Sequence, residues 1–261
     1  MLNVKYYLWI VATLVLFMGC SDSASGPGSE EAPQVPEFYS QETNPDLSLY
    51  ENNDTGGETM SNYNEARGIA LSMGFTFTIV EGFAPFFDDA RSADNKNFNN
   101  GVWEWSFTDS YEGNTAEIRL TAEESESETT WAMYWTFDDG EGNSYEDAEV
   151  LEGTVANDGS EASWAIRTPN PSTGEVNLIL DYAWSMPADD QLTVDLTAYE
   201  TSGSTTGSFE YEQNGSEHTF TLDDQDDNVT IFWNSDTKAG YIEENGMKQC
   251  WDENLQNTPC T

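Results

Sequence analysis

The sequence predicts a mainly β protein: an antiparallel meander curled into a barrel or a strongly bent sheet, with one N-terminal helix packed in or on it. Three observations carry that expectation. Apolar residues alternate with polar ones through run after run, as in Trp103, Trp105 and Phe107 or Leu192, Val194 and Leu196. Period two puts one set of side chains on a core and the other in water. Short turns rich in Asn, Asp and Gly separate the runs, and these residues tolerate the positive φ of tight hairpins, which join antiparallel neighbours. Trp, Tyr, Thr and Val, the types that favour strands, crowd the runs.

The chain opens with Lys5, an apolar run from Tyr6 to Met18, and Gly19-Cys20. The run is shorter than the roughly 20 apolar residues of a membrane span. It fits the apolar region of a secretory signal peptide. Phe17-Met18-Gly19-Cys20 resembles the lipobox of bacterial lipoproteins, with Phe17 standing where Leu is usual. The resemblance implies that residues 1–19 are a signal peptide cleaved before Cys20. It also implies lipidation of the Cys20 sulfur and acylation of the new amino group, palmitate being a suitable tracer. Acyl chains would then moor the protein to a membrane without a spanning helix. The implied location is the cell envelope, at the outer membrane, on its periplasmic face or on the cell surface. Removal of residues 1–19 takes one cation, Lys5, and no acid.

Residues 20–59 are rich in Ser, Gly, Pro, Glu and Asn. Too few apolar groups are present to offset the entropy of ordering, so this stretch reads as a flexible acidic tether. Ser21, Asp22, Glu30 and Glu31 resemble the acidic surface-export signals of Bacteroidota lipoproteins.

Residues 60–249 have the size of one domain. Ser61–Ala84 fits two patterns. Ile69, Leu71, Met73, Phe75, Phe77 and Ile79 alternate like a strand, whereas Ala66, Ile69, Met73, Phe77 and Val80 form a helical stripe. Its length, Ser61 as an N-cap and Pro85 as a stop favour the helix. Strand runs follow at Trp103–Phe107, Ala116–Ala122, Trp131–Phe137, Val176–Trp184, Leu192–Ala198 and Val229–Trp233, with shorter candidates around Trp164, Phe209, Phe220 and Tyr241. The turns between them include Asn157-Asp158-Gly159, Asn214-Gly215 and Glu244-Asn245-Gly246.

Residues 250–261 are a tail holding Cys250 and Cys260. An export route permits a disulfide, and closing so short a loop costs little entropy. The pair lacks the CxxC spacing of a redox site.

The chain carries 49 Asp+Glu against 8 Lys+Arg, a formal charge of −41. Nucleic-acid binding is excluded, because phosphate contacts need clustered Lys and Arg. The acids are spread along the chain, a composition that resembles proteins of salt-adapted bacteria. Salt at about 1 M shortens the Debye length to about 3 Å and relieves self-repulsion. Calcium is the competing reading, at Asp138–Asn143 or Asp223–Asp227. Neither stretch has the order of a calcium loop, and both fit hairpin turns, so no cofactor is expected.

Few residues invite a catalytic role. His218 is the only histidine, and no nucleophile motif accompanies it. It reads as a solvated strand-edge residue. Paired carboxylates would suit glycoside hydrolysis, but with 49 acids such pairs arise by chance. Trp103, Trp105, Trp131, Trp135, Trp184 and Trp233 lie in strand runs. They fill a core or, as the sharper alternative, line a ligand site. The chain resembles the β-rich envelope lipoproteins of Bacteroidota through its lipobox, its tether and Trp103-x-Trp105. The expectation is a non-enzymatic, lipid-anchored envelope protein with a binding or structural role, whose protein or small-ligand partner the sequence does not name. A lipocalin-like carrier of an apolar ligand and a carboxylate-dependent glycoside hydrolase are the alternatives.

Overall fold

The computed structural model describes residues 32–38, 43–51, 58–93, 96–111, 114–140, 143–170, 172–224 and 227–260. The expected signal peptide, Cys20 and the first part of the expected tether lie outside these residues.

Fourteen strands form one antiparallel sheet in which spatial order equals chain order. They are β1 (Lys96–Asn99), β2 (Val102–Tyr111), β3 (Asn114–Glu124), β4 (Glu128–Asp138), β5 (Ser144–Ala156), β6 (Glu161–Pro169) and β7 (Val176–Ala188). The second half comprises β8 (Gln191–Tyr199), β9 (Thr205–Asn214), β10 (Glu217–Asp224), β11 (Asn228–Asn234), β12 (Gly240–Glu244), β13 (Met247–Trp251) and β14 (Asn257–Thr258). The meander is as expected; the barrel is not. β1 and β14 stand at opposite edges, and no pairing joins them among the described residues. At four and two residues they are too short to carry a closing ladder.

Hairpin chemistry explains the register. Asn245 and Gly246 connect β12 to β13 with φ of 50° and 82°, and Asn100 and Gly101 connect β1 to β2 with 54° and 90°. Positive φ at both central residues is the type I′ geometry, whose twist matches that of the flanking strands.

Among the described residues, three α-helices precede the sheet, α1 (Ser48–Glu51), α2 (Ser61–Glu81) and α3 (Ala84–Ser92), with a short 3-10 turn (Glu58–Met60) leading into α2. The helical reading of residues 61–84 therefore holds, with two corrections. Met60, not Ser61, occupies the N-cap position and makes no side-chain cap bond. Pro85 does not end the helical stretch but opens α3. Proline lacks only the N–H that a first turn leaves unused.

The helical stretch lies across the strands of one sheet face, here the inner face. At the α2 start, the Asn62 amide donates to the Cys250 carbonyl at 2.9 Å, and its N–H donates to Asn257 Oδ1 at 3.1 Å. Tyr63 meets Trp251 edge-on at 5.9 Å, and Phe77 meets Phe209 at 5.5 Å. Phe83 stacks on Trp135 at 5.9 Å, and Phe87 reaches Trp131 and Trp164 at 5.9 and 5.5 Å. Contacts thus run from β13 to β4 along one stretch of chain.

Two glycines make room for tryptophans. A Cβ on Gly153 would collide with the Ser163 carbonyl and the Trp164 ring, and one on Gly240 with the Phe232 carbonyl and the Trp251 ring. In both cases the glycine and the tryptophan are cross-strand partners. Gly153, Gly159 and Trp164 have the same spacing as Gly240, Gly246 and Trp251, a recurrence easily overlooked among twenty glycines.

The described part of the expected tether is anchored. Val35, Phe38, Leu49 and Tyr50 are buried. Phe38 stacks on Phe87 at 4.8 Å, and Tyr50 meets Trp233 at 5.1 Å. Cys250 and Cys260 form a disulfide that ties the tail to β13.

Candidate functional site: the polar face of the sheet

Each strand sends alternate side chains to opposite faces. On β8, Leu192, Val194 and Leu196 are buried inward, while Thr193, Asp195 and Thr197 point to the outer face. The same rule on β6, β7, β9 and β10 builds a broad outer face of hydroxyls, carboxylates and small residues. A shallow groove of about 350 Å³ runs over it, with Ala165 and Ala183 on its floor and Glu152, Asp181 and Asp195 at its sides. A second hollow of about 220 Å³ continues it past Asp195 and Thr197 to Glu210 and Asp223.

Charge divides this face in two. Across β2 to β6, two arginines link the strands. Arg119 sits 3.6 Å from Glu104 and 2.6 Å from Asp147, with its guanidinium 4.0 Å from the centre of the Tyr134 ring. The Tyr134 hydroxyl donates to Glu149 at 3.4 Å. Glu149 in turn pairs with Arg167 at 2.8 Å, which also meets Glu152 at 3.2 Å. From β7 to β11 no described Lys or Arg pairs with a carboxylate. There Asp195 stands directly opposite Glu210. Like charges in that position repel. Partial desolvation on the sheet surface raises the pKa of Asp195, and partial desolvation with the neighbouring Asp195 and Glu212 charges raises that of Glu210. Asp181 has a neutral partner, accepting the Tyr199 hydroxyl at 2.6 Å.

This face offers many oxygens but no convergent cage. Among the described residues no group of three or more His, Cys, Asp and Glu is placed to hold a metal ion. In the two stretches weighed for calcium, carboxylates turn back on their own loops. Asp138 accepts the Gly140 N–H at 2.8 Å, and Asp224 accepts the Asp227 N–H at 2.8 Å.

The tryptophans singled out in the sequence belong to the inner face. Trp103, Trp105, Trp131, Trp184 and Trp233 are buried, and Trp135 is half-buried against Phe83 and Phe86. None of the six lines either hollow.

His218 is not the solvated residue expected. It is 1% exposed on the inner side of β10, stacked on Trp233 at 5.0 Å. The Tyr211 oxygen accepts the Asp46 N–H at 3.1 Å, and its hydroxyl donates to Gln213 Oε1 at 3.1 Å. His218 Nδ1, 2.8 Å away, must then carry a hydrogen and donate to the same oxygen. Nε2 keeps a lone pair in the core, with no hydrogen-bond partner among the described residues. Burial lowers the His218 pKa, against the opposing charge of Asp46. The imidazole buttresses the Tyr211 hydroxyl, and it is that hydroxyl which holds residue 46 to the sheet. Its pairing depends on cross-strand register, which the alternation alone does not reveal.

No family model matches the chain, and no curated protein matches it.

Proposed function

We propose that the protein is a lipid-anchored protein of the cell envelope, with a non-enzymatic binding or structural role, moored through acyl chains on Cys20. The observation that favours this over a carrier is the filling of the inner face. The helical stretch and the strand tryptophans occupy the space an apolar ligand would need, and the hollows on the other face are shallow and open to solvent. A glycosidase reading would fall to Asp195 and Glu210, the facing acids whose pKa values are raised, yet both are exposed on an open surface rather than in a water-excluding cleft. The acidic outer face suits hydration in saline water.

We further infer a bent sheet. Laid flat at about 4.8 Å per strand, β4 to β13 would span about 43 Å. The helical path from Tyr63 to Phe87 measures only about 36 Å at 1.5 Å per residue. The reach of the Tyr63 and Phe87 rings covers part of the difference, and the bulges between β4 and β5, β6 and β7, β7 and β8, and β8 and β9 supply bends that draw the strands in around the helices.

Radiolabelled palmitate tests the anchor. Label should enter the wild-type protein and be absent from Cys20→Ala. Full-length, uncleaved chain recovered from the cytosol would overturn the reading.

A further inference from the structure

The outer side of α2 carries a surface unlike the rest of the molecule. Gly68–Val80 is the longest uncharged run after residue 20 in a chain of 49 acids. Gly68, Ser72 and Ile79 are exposed along one line of the helix, flanked by half-buried Ile69 and Leu71. Ile79 is one of three large apolar residues left exposed among those described, at 38%. The inward side of the same helix is fully used, through Tyr63, Ala66, Ala70, Phe77 and Val80. A helix packed on a soluble body ordinarily turns charges to water, and here they stop at Arg67 and resume at Glu81.

Two further facts say what covers this surface. Residues 32–38, which lead back towards Cys20, lie on the helical side of the sheet. Phe38 packs on Phe87, and Arg91 donates to the Pro36 carbonyl at 2.8 Å. Cys20 is twelve residues from Ala32. Such a segment reaches about 40 Å when extended and averages about 20 Å as a coil. Charge is distributed with the same polarity. Glu152, Asp195, Glu210, Glu212 and Asp223 crowd the sheet face away from α2.

We propose that the uncharged outer side of α2 rests on the lipid bilayer, so that the protein lies helix-down with its acidic sheet face turned to solvent. This rests on the Cys20 anchor. The short tether holds α2 close enough for a weakly apolar helix face to sit at the headgroup boundary, where amphipathic helices bury about 5–10 Å. No cationic rim assists it, so contact is apolar and anionic headgroups oppose it. The orientation is therefore firmest on neutral lipid. On anionic lipid it strengthens with salt, opposite to a basic peripheral protein.

The test places an environment-sensitive fluorophore on the full lipidated chain at Ile79→Cys, at Ser72→Cys one helical face-repeat away, or at Glu210→Cys on the sheet face. Each is reconstituted in phosphatidylcholine vesicles carrying a nitroxide-labelled lipid. Quenching at positions 72 and 79 should exceed that at 210 by about threefold or more. In vesicles with added phosphatidylglycerol it should fall in dilute buffer and return in molar NaCl. Equal quenching at all three sites overturns the orientation while leaving the anchor intact. So does a probe at 79 that is shielded from water yet unquenched by lipid, which would mean a second copy covers the helix. Protein that fails to float with vesicles defeats the anchor and this proposal together.

Discussion

Strand β9 sends Phe209 and Tyr211 to one side and Ser208, Glu210 and Glu212 to the other, and the two sides hold the molecule by different means. Inward, Phe209 packs between Phe77 and Phe220, and Tyr211 carries hydrogen bonds sealed from water. Outward, Glu210 faces Asp195 with no cation between them. Removing packing from a core costs several kcal/mol, whereas an exposed charge contact is worth about 1 kcal/mol or less. The lesson is that stability is concentrated on one face, and the other is free to set hydration and salt response. The outer face repeats the contrast on a smaller scale, because Arg119 and Arg167 link β2 to β6 while no ion pair among the described residues serves β7 to β11.

The harshest way to break the inner face is to fill a glycine seat. Gly240→Val should cost about 3 kcal/mol or more, because the new side chain must displace the Trp251 ring or the Phe232 backbone. A urea midpoint equal to that of wild type would show that Trp251 does not lie over residue 240.

A subtler break targets the buried polar knot. Tyr211→Phe leaves the His218 Nδ1–H and the Asp46 N–H without an acceptor, at about 1–3 kcal/mol. The histidine also gives this face a pH signature. Its folded pKa is lowered, so the unfolded chain takes up a proton first as pH drops. Stability is full above the unfolded value of about 6.5 and declines as pH falls below it. Asp195 and Glu210 respond with the opposite sign. Their folded pKa values are raised, so stability rises as pH falls through them. Unfolding free energies between pH 7 and pH 5 should lose their downward slope in His218→Phe; an unchanged slope would place its source elsewhere.

On the outer face the effects shrink. Arg167→Ala should cost about 1 kcal/mol, given two half-exposed partners on β5, and less in molar NaCl. Smallest is Asp195→Asn, which should stabilise by about 0.5 kcal/mol in dilute buffer by removing a facing like charge. That gain should vanish in molar salt, and a gain that persisted there would point to something other than repulsion.

The division into faces was readable from the start, because alternation in runs such as Leu192–Leu196 is a direct record of which side is buried. Hairpins were readable for a similar reason, since Asn245-Gly246 names its own turn geometry. Closure was not, because it depends on whether β1 and β14 meet, and no local pattern encodes that. The anchoring of residues 32–38 and 43–51 is hidden by averaging. Phe38, Leu49 and Tyr50 are a few strong apolar contacts inside a segment whose overall composition is polar. His218 was misread because its neighbours in sequence, Glu217 and Thr219, are polar, while those that matter, Tyr211 and Trp233, lie on adjacent strands.

The strict chain order of the strands bears on how the molecule is made. Every hairpin closes between consecutive segments, so most pairing is local and fast by the logic of contact order. The segments before the sheet are the exception: the first turn of α2 bonds to Cys250 and Asn257, 188 and 195 residues further along. An apolar helix must therefore wait, uncovered at that end, until β13 and β14 arrive to receive it. Docking of the α2 start depends on β13 and β14, and a product truncated before residue 247 would leave the start of its helix without a dock, a natural target for holding chaperones and quality-control proteases.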